Sequence, residues 1–166
     1  ATVDEQKHMP MTNPEGILAV HETDYGHSVS WVQLEGKRIL MLFRGGSFRT
    51  SDDGGLTWSE EFRGRDEKGE GLQNATALVK LGGKSIGLVD QRGAVDAGNI
   101  RGHLLVFRRS DDEGRTWSEP SAINPRGPAA FVWQDMLLRT SSGRIVLPAY
   151  LSIGQGGFQR EGAGFV

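Results

Sequence analysis

Apolar residues in this chain come in short runs, and three pairs of runs flank a glycine. Residues 30–43 read Ser-Trp-Val-Gln-Leu-Glu-Gly-Lys-Arg-Ile-Leu-Met-Leu-Phe. Residues 77–89 read Ala-Leu-Val-Lys-Leu-Gly-Gly-Lys-Ser-Ile-Gly-Leu-Val, and residues 136–148 read Met-Leu-Leu-Arg-Thr-Ser-Ser-Gly-Arg-Ile-Val-Leu-Pro. Branched and aromatic side chains around Gly36, Gly83 and Gly143 predict three β-hairpins. The second strand of each is apolar almost without alternation, which predicts burial on both faces. No segment carries a helical period. The best candidate, residues 131–139, has apolar positions at mixed spacing and runs into a hairpin signal. The pattern predicts an all-β chain.

A second repeat is interleaved with the first. The pattern Ser-x-Asp-x-Gly-x-Thr-Trp occurs as Ser51, Asp53, Gly55, Thr57, Trp58 and again as Ser110, Asp112, Gly114, Thr116, Trp117. Recurrence at a spacing of 59 residues (51 to 110) marks one supersecondary unit per copy. Each part suits a tight turn between strands. Gly supplies a positive φ, Asp and Ser accept turn N–H groups, Thr opens the next strand, and Trp lays apolar surface beneath. The spacing differs from a calcium loop, which needs further Asp ligands and a Glu at its twelfth position. The expected role is a structural stitch with no metal.

Combined, the repeats give a unit of strand a, Gly turn, strand b, connection, strand c, box, strand d. Four antiparallel strands per unit are the blade of a β-propeller. The second unit has 12 more residues than the first between its Gly turn and its box, and residues 91–102 are expected to form a Gly-rich loop there. The organisation predicted is an N-terminal segment over 1–24, blades over 25–65 and 72–124, and an incomplete blade over 130–166. About two and a half blades cannot close a ring of roughly 4 to 8. The expected partners are therefore the remaining blades of a longer chain, or further copies of this one.

Composition narrows the function classes. The chain has 166 residues and a net charge of −2, without the basic footprint of a nucleic-acid binder. It has no cysteine, so no disulfide frame and no thiolate metal site. No apolar stretch approaches the roughly 20 residues of a membrane helix, and residues 1–7 do not match a signal peptide. Its 24 glycines are spread singly or in pairs between apolar runs, as many tight turns require.

In a four-stranded unit the box lies at one end, and the start of strand a and the b–c connection lie at the other. Nine residues before each turn glycine stand His27, Asn74 and Gln134, all polar, with Asp135 beside the last. At the ends of the b strands stand Arg44, the 92–96 segment and Tyr150. Arg92 is the leading candidate, because a planar guanidinium can grip a carboxylate through two N–H groups. A solvated loop arginine is the plain alternative. Asp90 offers a carboxylate at the strand end. The four histidines lack metal-ligand spacing.

The paired boxes resemble the Asp-box, or BNR, repeat of the sialidase (neuraminidase) superfamily, over about residues 25–150. The segment from Leu88 through Arg92 and Asp96 to Ser110 is similar to that family's arginine-and-aspartate loop leading into a box. The run over residues 142–150, Ser-Gly-Arg-Ile-Val-Leu-Pro-Ala-Tyr, is similar to the strand that follows. The resemblance implies a sialidase-type propeller, a glycan ligand, no cofactor, and a secreted or periplasmic setting. It implies that Arg92 belongs to a cluster gripping the substrate carboxylate and that Asp96 is the general acid/base, while an Asx-turn residue is the plain reading of Asp96. Arg44, His27, Asn74, Gln134 and Asp135 would complete a substrate-binding rim. The family's Arg-Ile-Pro at an inner strand is replaced here by His27-Ser28-Val29 and Asn74-Ala75-Thr76. Its tyrosine nucleophile has no counterpart in this chain. Three functions follow as expectations: a sialidase-like hydrolase present in part, a hydrolase of another glycan, or a non-catalytic propeller binding carbohydrate or protein.

Overall fold

The computed structural model describes residues 28–43, 45–72, 74–97, 100–124, 130–132, 137–153 and 161–165. All regular structure in them is β. The strands are β1 (Ser28–Gln33), β2 (Ile39–Phe43), β3 (Ser47–Ser51), β4 (Phe62–Arg63), β5 (Arg65–Asp66), β6 (Ala75–Gly82) and β7 (Ser85–Ala97). They continue as β8 (Ile100–Ser110), β9 (Thr116–Trp117), β10 (Ser121–Ala122), β11 (Ala130–Phe131), β12 (Leu138–Arg139), β13 (Ile145–Ile153) and β14 (Glu161–Phe165). The all-β expectation therefore holds for the described residues.

The first unit forms one antiparallel sheet in the order β1-β2-β3-β4. Its hairpins follow from the turns: Gly36 sits at φ 60 between β1 and β2, where Arg38 N donates to Glu35 O at 3.1 Å. The second unit repeats the order as β6-β7-β8 with β10 on β8. The third contributes β12, β13 and β14, paired in that order. Among the described residues no sheet closes on itself.

Two details differ from expectation. Of the loop expected over 91–102, residues 91–97 and 100–102 continue the strands: Arg92 pairs with Leu104, Asp96 with Arg101 and Ala97 with Ile100. Gly93, at φ 52, absorbs one extra residue as a bulge, and the ladder resumes with Ala94 opposite His103. Nor is the third unit a separate sheet. The lengthened part of β8 bonds onward to β13 (Ser152 opposite Arg101) and to β11 (Ala130 opposite His103), so the second and third units share one eight-stranded sheet.

The core lies in two layers either side of β6 and β7. One layer joins Val32, Leu40, Leu42 and Phe48 of the first sheet to Leu78, Ile86 and Leu88. The other joins Ala77, Val79 and Val89 to Leu105, Val132 and Leu147. Successive side chains of one strand thus enter opposite cores. This satisfies the two-faced burial predicted for β7, where residues 86–91 are all buried. In β2 the expectation fails: Ile39 and Met41 remain partly exposed between buried Leu40 and Leu42, because that sheet packs on β6 and β7 with only one face.

Candidate functional site

The two boxes fold alike, atom for atom. Ser51 Oγ donates to Asp53 Oδ1 at 2.8 Å and accepts Gly55 N at 2.8 Å. Asp53 accepts Thr57 N at 2.9 Å and Thr57 Oγ1 at 2.6 Å. In the second copy Ser110 reaches Asp112 at 2.8 Å and Gly114 N at 2.9 Å, and Asp112 takes Thr116 N at 2.9 Å and Oγ1 at 2.6 Å. The indoles of Trp58 and Trp117 donate to Gly55 O at 3.1 Å and Gly114 O at 3.0 Å. The repeated Ser, Asp, Thr and Trp side chains of each box all close their own turn. Hydrogen bonds from Thr57, then Ser51, hold the Asp53 carboxyl well below the usual carboxylate range. At Asp112 burial works the other way, but the bonds from Thr116 and Ser110 outweigh it and the pKa is again lowered.

The copies differ in their tryptophans. Trp117 is buried between sheets and stacks on Phe48 of β3, centroids 5.8 Å apart. Trp58 is only half-buried. Its box belongs to the first sheet and has no described sheet to wedge against. β9 also pairs in parallel with β5, Asp66 opposite Trp117, so the second box is sewn to the first unit.

The opposite end of β7 carries the charged site. Asp90 is fully buried. Its Oδ1 accepts Asn74 N at 2.9 Å, and its Oδ2 faces Arg92 Nε at 3.3 Å. Arg92 lies two residues on, on the same face of the strand, and is partly exposed. It uses Nε on Asp90, and its two terminal nitrogens have no acceptor among the described residues. His103 closes the rim, with Nδ1 at 2.9 Å from Gly93 O and its ring edge-on to Phe131 at 5.2 Å.

Behind this rim lies a second guanidinium that sequence reasoning missed. Arg108 on β8 is 1% exposed; Nη1 donates to Ser118 O at 2.7 Å, and Nη2 stands 3.7 Å from Asp66 Oδ2. Burial, then the charge of Arg92, push its pKa down, while Asp90 and Asp66 act in the opposite sense. Burial favours the neutral acid at Asp66, but N–H groups of Glu70 and Lys68, with Arg108 and Arg92, hold its pKa low. Two carboxylates thus face two guanidiniums across the junction of the sheets. The sequence did carry a signal. Arg49 stands two residues before the first box as Arg108 does before the second, and Arg49 Nη1 donates to Ser59 O at 3.0 Å as Arg108 does to Ser118.

Of the rim residues expected from sequence, Arg92 and Asn74 meet at Asp90. Asn74 contributes its backbone: N to Asp90, and O accepting Gln91 N at 3.1 Å. Asp96 is placed on β7 opposite Arg101, with its side chain outside the described residues. His27, Arg44, Gln134 and Asp135 also lie outside them. No group of three or more His, Asp or Glu side chains among the described residues could hold a metal ion. No described helix is long and apolar enough to cross a membrane. Comparison with family models, with curated proteins and with solved structures gave no match to this chain.

Proposed function

We propose that the chain forms part of an Asp-box propeller of the sialidase type, and that the protein removes terminal acidic sugars from glycans. The observation that carries the proposal is the state of Arg92. A buried carboxylate fixes the guanidinium through Nε and leaves its terminal edge available at the end of the sheet. That edge is the one that accepts a carboxylate in bidentate fashion. Two boxes of one geometry, and sheets that pack face to face on a central layer, support the architecture. In this reading Arg92 grips the sugar carboxylate and Asp96, on the b–c hairpin, exchanges the proton with the leaving oxygen. The nucleophile lies elsewhere in the assembled protein.

One observation favours a binding module instead. The carboxylate whose side chain is described at this end, Asp90, is fully buried and cannot reach a leaving group. Hydrolysis of an aryl α-sialoside by the full-length protein separates the readings. Turnover that falls in both Arg92→Ala and Asp96→Asn supports the hydrolase. Turnover unchanged in both removes these residues from the mechanism. No turnover, with glycan binding retained, supports the binding module.

A further inference from the structure

We propose that the Asp53–Gly54 bond in the first box is a latent modification site, which the folded box keeps closed and which converts to isoaspartate once the box opens. Asp53 and Gly54 form the one Asp-Gly step in the sequence, and there is no Asn-Gly step. The chemistry follows from a missing side chain. With no Cβ on the second residue, its amide nitrogen can approach the carboxyl of the first. The nitrogen attacks Asp53 Cγ, the Gly54 N–Cγ bond forms, and the carboxyl OH leaves with the amide hydrogen as water. Water then adds back to the cyclic imide and breaks either of its two C–N bonds. One cleavage restores aspartate. The other leaves isoaspartate, with the main chain running through the side-chain carboxyl and no net change in mass.

Both reacting groups are held in the folded box. Asp53 Oδ1 accepts Ser51 Oγ at 2.8 Å and Thr57 N at 2.9 Å, and Oδ2 accepts Thr57 Oγ1 at 2.6 Å. Those bonds, from Thr57 first and then Ser51, keep the carboxyl ionised, and an ionised carboxylate has no OH to lose. Gly54 N donates to Lys37 O at 3.1 Å in the turn between β1 and β2, so its hydrogen is engaged. All of these bonds lie within the box and the adjoining hairpin turn, and they need no other part of the protein.

The second box shows why a glycine stands at this place. Gly54 holds φ 82, and the equivalent Glu113 holds φ 61, the one positive φ of a non-glycine residue among those described. Glycine relieves the left-handed strain and leaves the bond labile. Glu113 bears the strain, and its side chain hinders attack on Asp112.

The modification runs one way. Isoaspartate adds a carbon to the main chain and places the free carboxylate directly on Cα, so Ser51 and Thr57 lose the acceptor that closes the turn. A box that stays open long enough to react cannot re-form.

The test is isoaspartate at position 53 after incubation of the full chain at neutral pH, with and without guanidinium chloride. Peptide mapping locates it, and methyl transfer from S-adenosylmethionine by an isoaspartyl methyltransferase measures its amount. Because the rate tracks the open population, accumulation should be at least about ten-fold slower in the folded chain. Thr57→Val removes one donor to Asp53; it should speed the folded reaction about three-fold or more and leave the unfolded rate unchanged. Gly54→Glu should abolish the reaction in both states, and Glu113→Gly should open a second site at Asp112 in denaturant alone. Thermal melts confirm which variants are folded, and the comparison of folded with unfolded wild-type protein needs no variant. Equal rates in the two states would overturn the proposal. So would an unfolded chain without isoaspartate at position 53, or a folded Thr57→Val protein that reacts no faster than wild type.

Discussion

Arg38, in the turn between β1 and β2, donates from Nε to Glu113 Oε2 in the second box at 2.8 Å. The same guanidinium pairs with Asp52 of the first box. One side chain therefore ties a hairpin turn to both boxes. Burial disfavours its charge, but the bond to Asp52 and the charges of Glu113 and Asp52 raise its pKa overall. Arg38 and Glu113 are both mostly covered, so the pair is screened less than a surface bridge. A double-mutant cycle of Arg38→Ala and Glu113→Ala should give a coupling of about 1 kcal/mol at low salt, shrinking as salt is added. Urea unfolding of the four proteins measures it.

Acid should loosen the boxes. Asp53 and Asp112 both have depressed pKa values, so each is charged in the folded state where the unfolded chain would already bind a proton. Their contribution is complete above the unfolded value, about pH 4, and is lost as pH falls through the folded one. Thermal melts between pH 7 and pH 2 should show a steep loss below about pH 4. Asp53→Asn and Asp112→Asn should each be less stable at neutral pH and show a shallower slope in acid.

Gly64 and Gly114 meet the same indole from different constraints. A Cβ on Gly64 would sit 2.4 Å from Trp117 Nε1, against a ring that has no room to move. Gly114 holds φ 87, and its Cβ would sit 3.1 Å from Leu40 Cδ2. Gly64→Ala should lose about 2–3 kcal/mol by overpacking, and Gly114→Ala about 1–2 kcal/mol by left-handed strain. Denaturation midpoints should fall in that order without a change in slope.

Gln91 acts as a piece of backbone. Its Nε2 donates to Val132 O at 3.0 Å and its Oε1 accepts Val132 N at 3.3 Å, both within the core. Gln91→Leu would leave two buried peptide groups without partners, at about 2–4 kcal/mol. Gln91→Glu should be worse at pH 7, where a carboxylate would face the Val132 carbonyl.

Asp90→Asn tests how Arg92 is held. The amide keeps an acceptor for Asn74 N but loses the charge that fixes the guanidinium. If the proposed hydrolase reading is correct, KM for the sialoside should rise about ten-fold while kcat changes by less than about three-fold, the pattern of lost ground-state binding. An equal fall in kcat and kcat/KM would place Asp90 in the chemistry itself.

Short-range order was legible in the sequence and long-range pairing was not. Gly36, Gly83 and Gly143 marked the hairpins because each needs a positive φ. The boxes were legible because the Ser, Asp, Thr and Trp bonds that shape each turn close within eight residues. The strand continuation within residues 91–102 was hidden, because their three glycines resemble loop composition, while Gly93 takes up the extra residue as a bulge. The pairing of β8 with β11 and β13 depends on where distant segments come to rest, which no local pattern encodes. At the charged rim, Arg92 stood out by residue type. Arg108 shares only its place before a box with Arg49, and its burial and its pairing with Asp66 come from long-range packing that this spacing does not reveal.

Because β6 and β7 fill the space between two apolar layers, the described residues offer no hinge line between those layers. Removing either outer layer would wet one side of the same two strands, so their amides should open only in the global transition. Hydrogen exchange should therefore find its slowest protons at Leu78, Val79, Leu88 and Val89, with a protection free energy equal to that of complete unfolding.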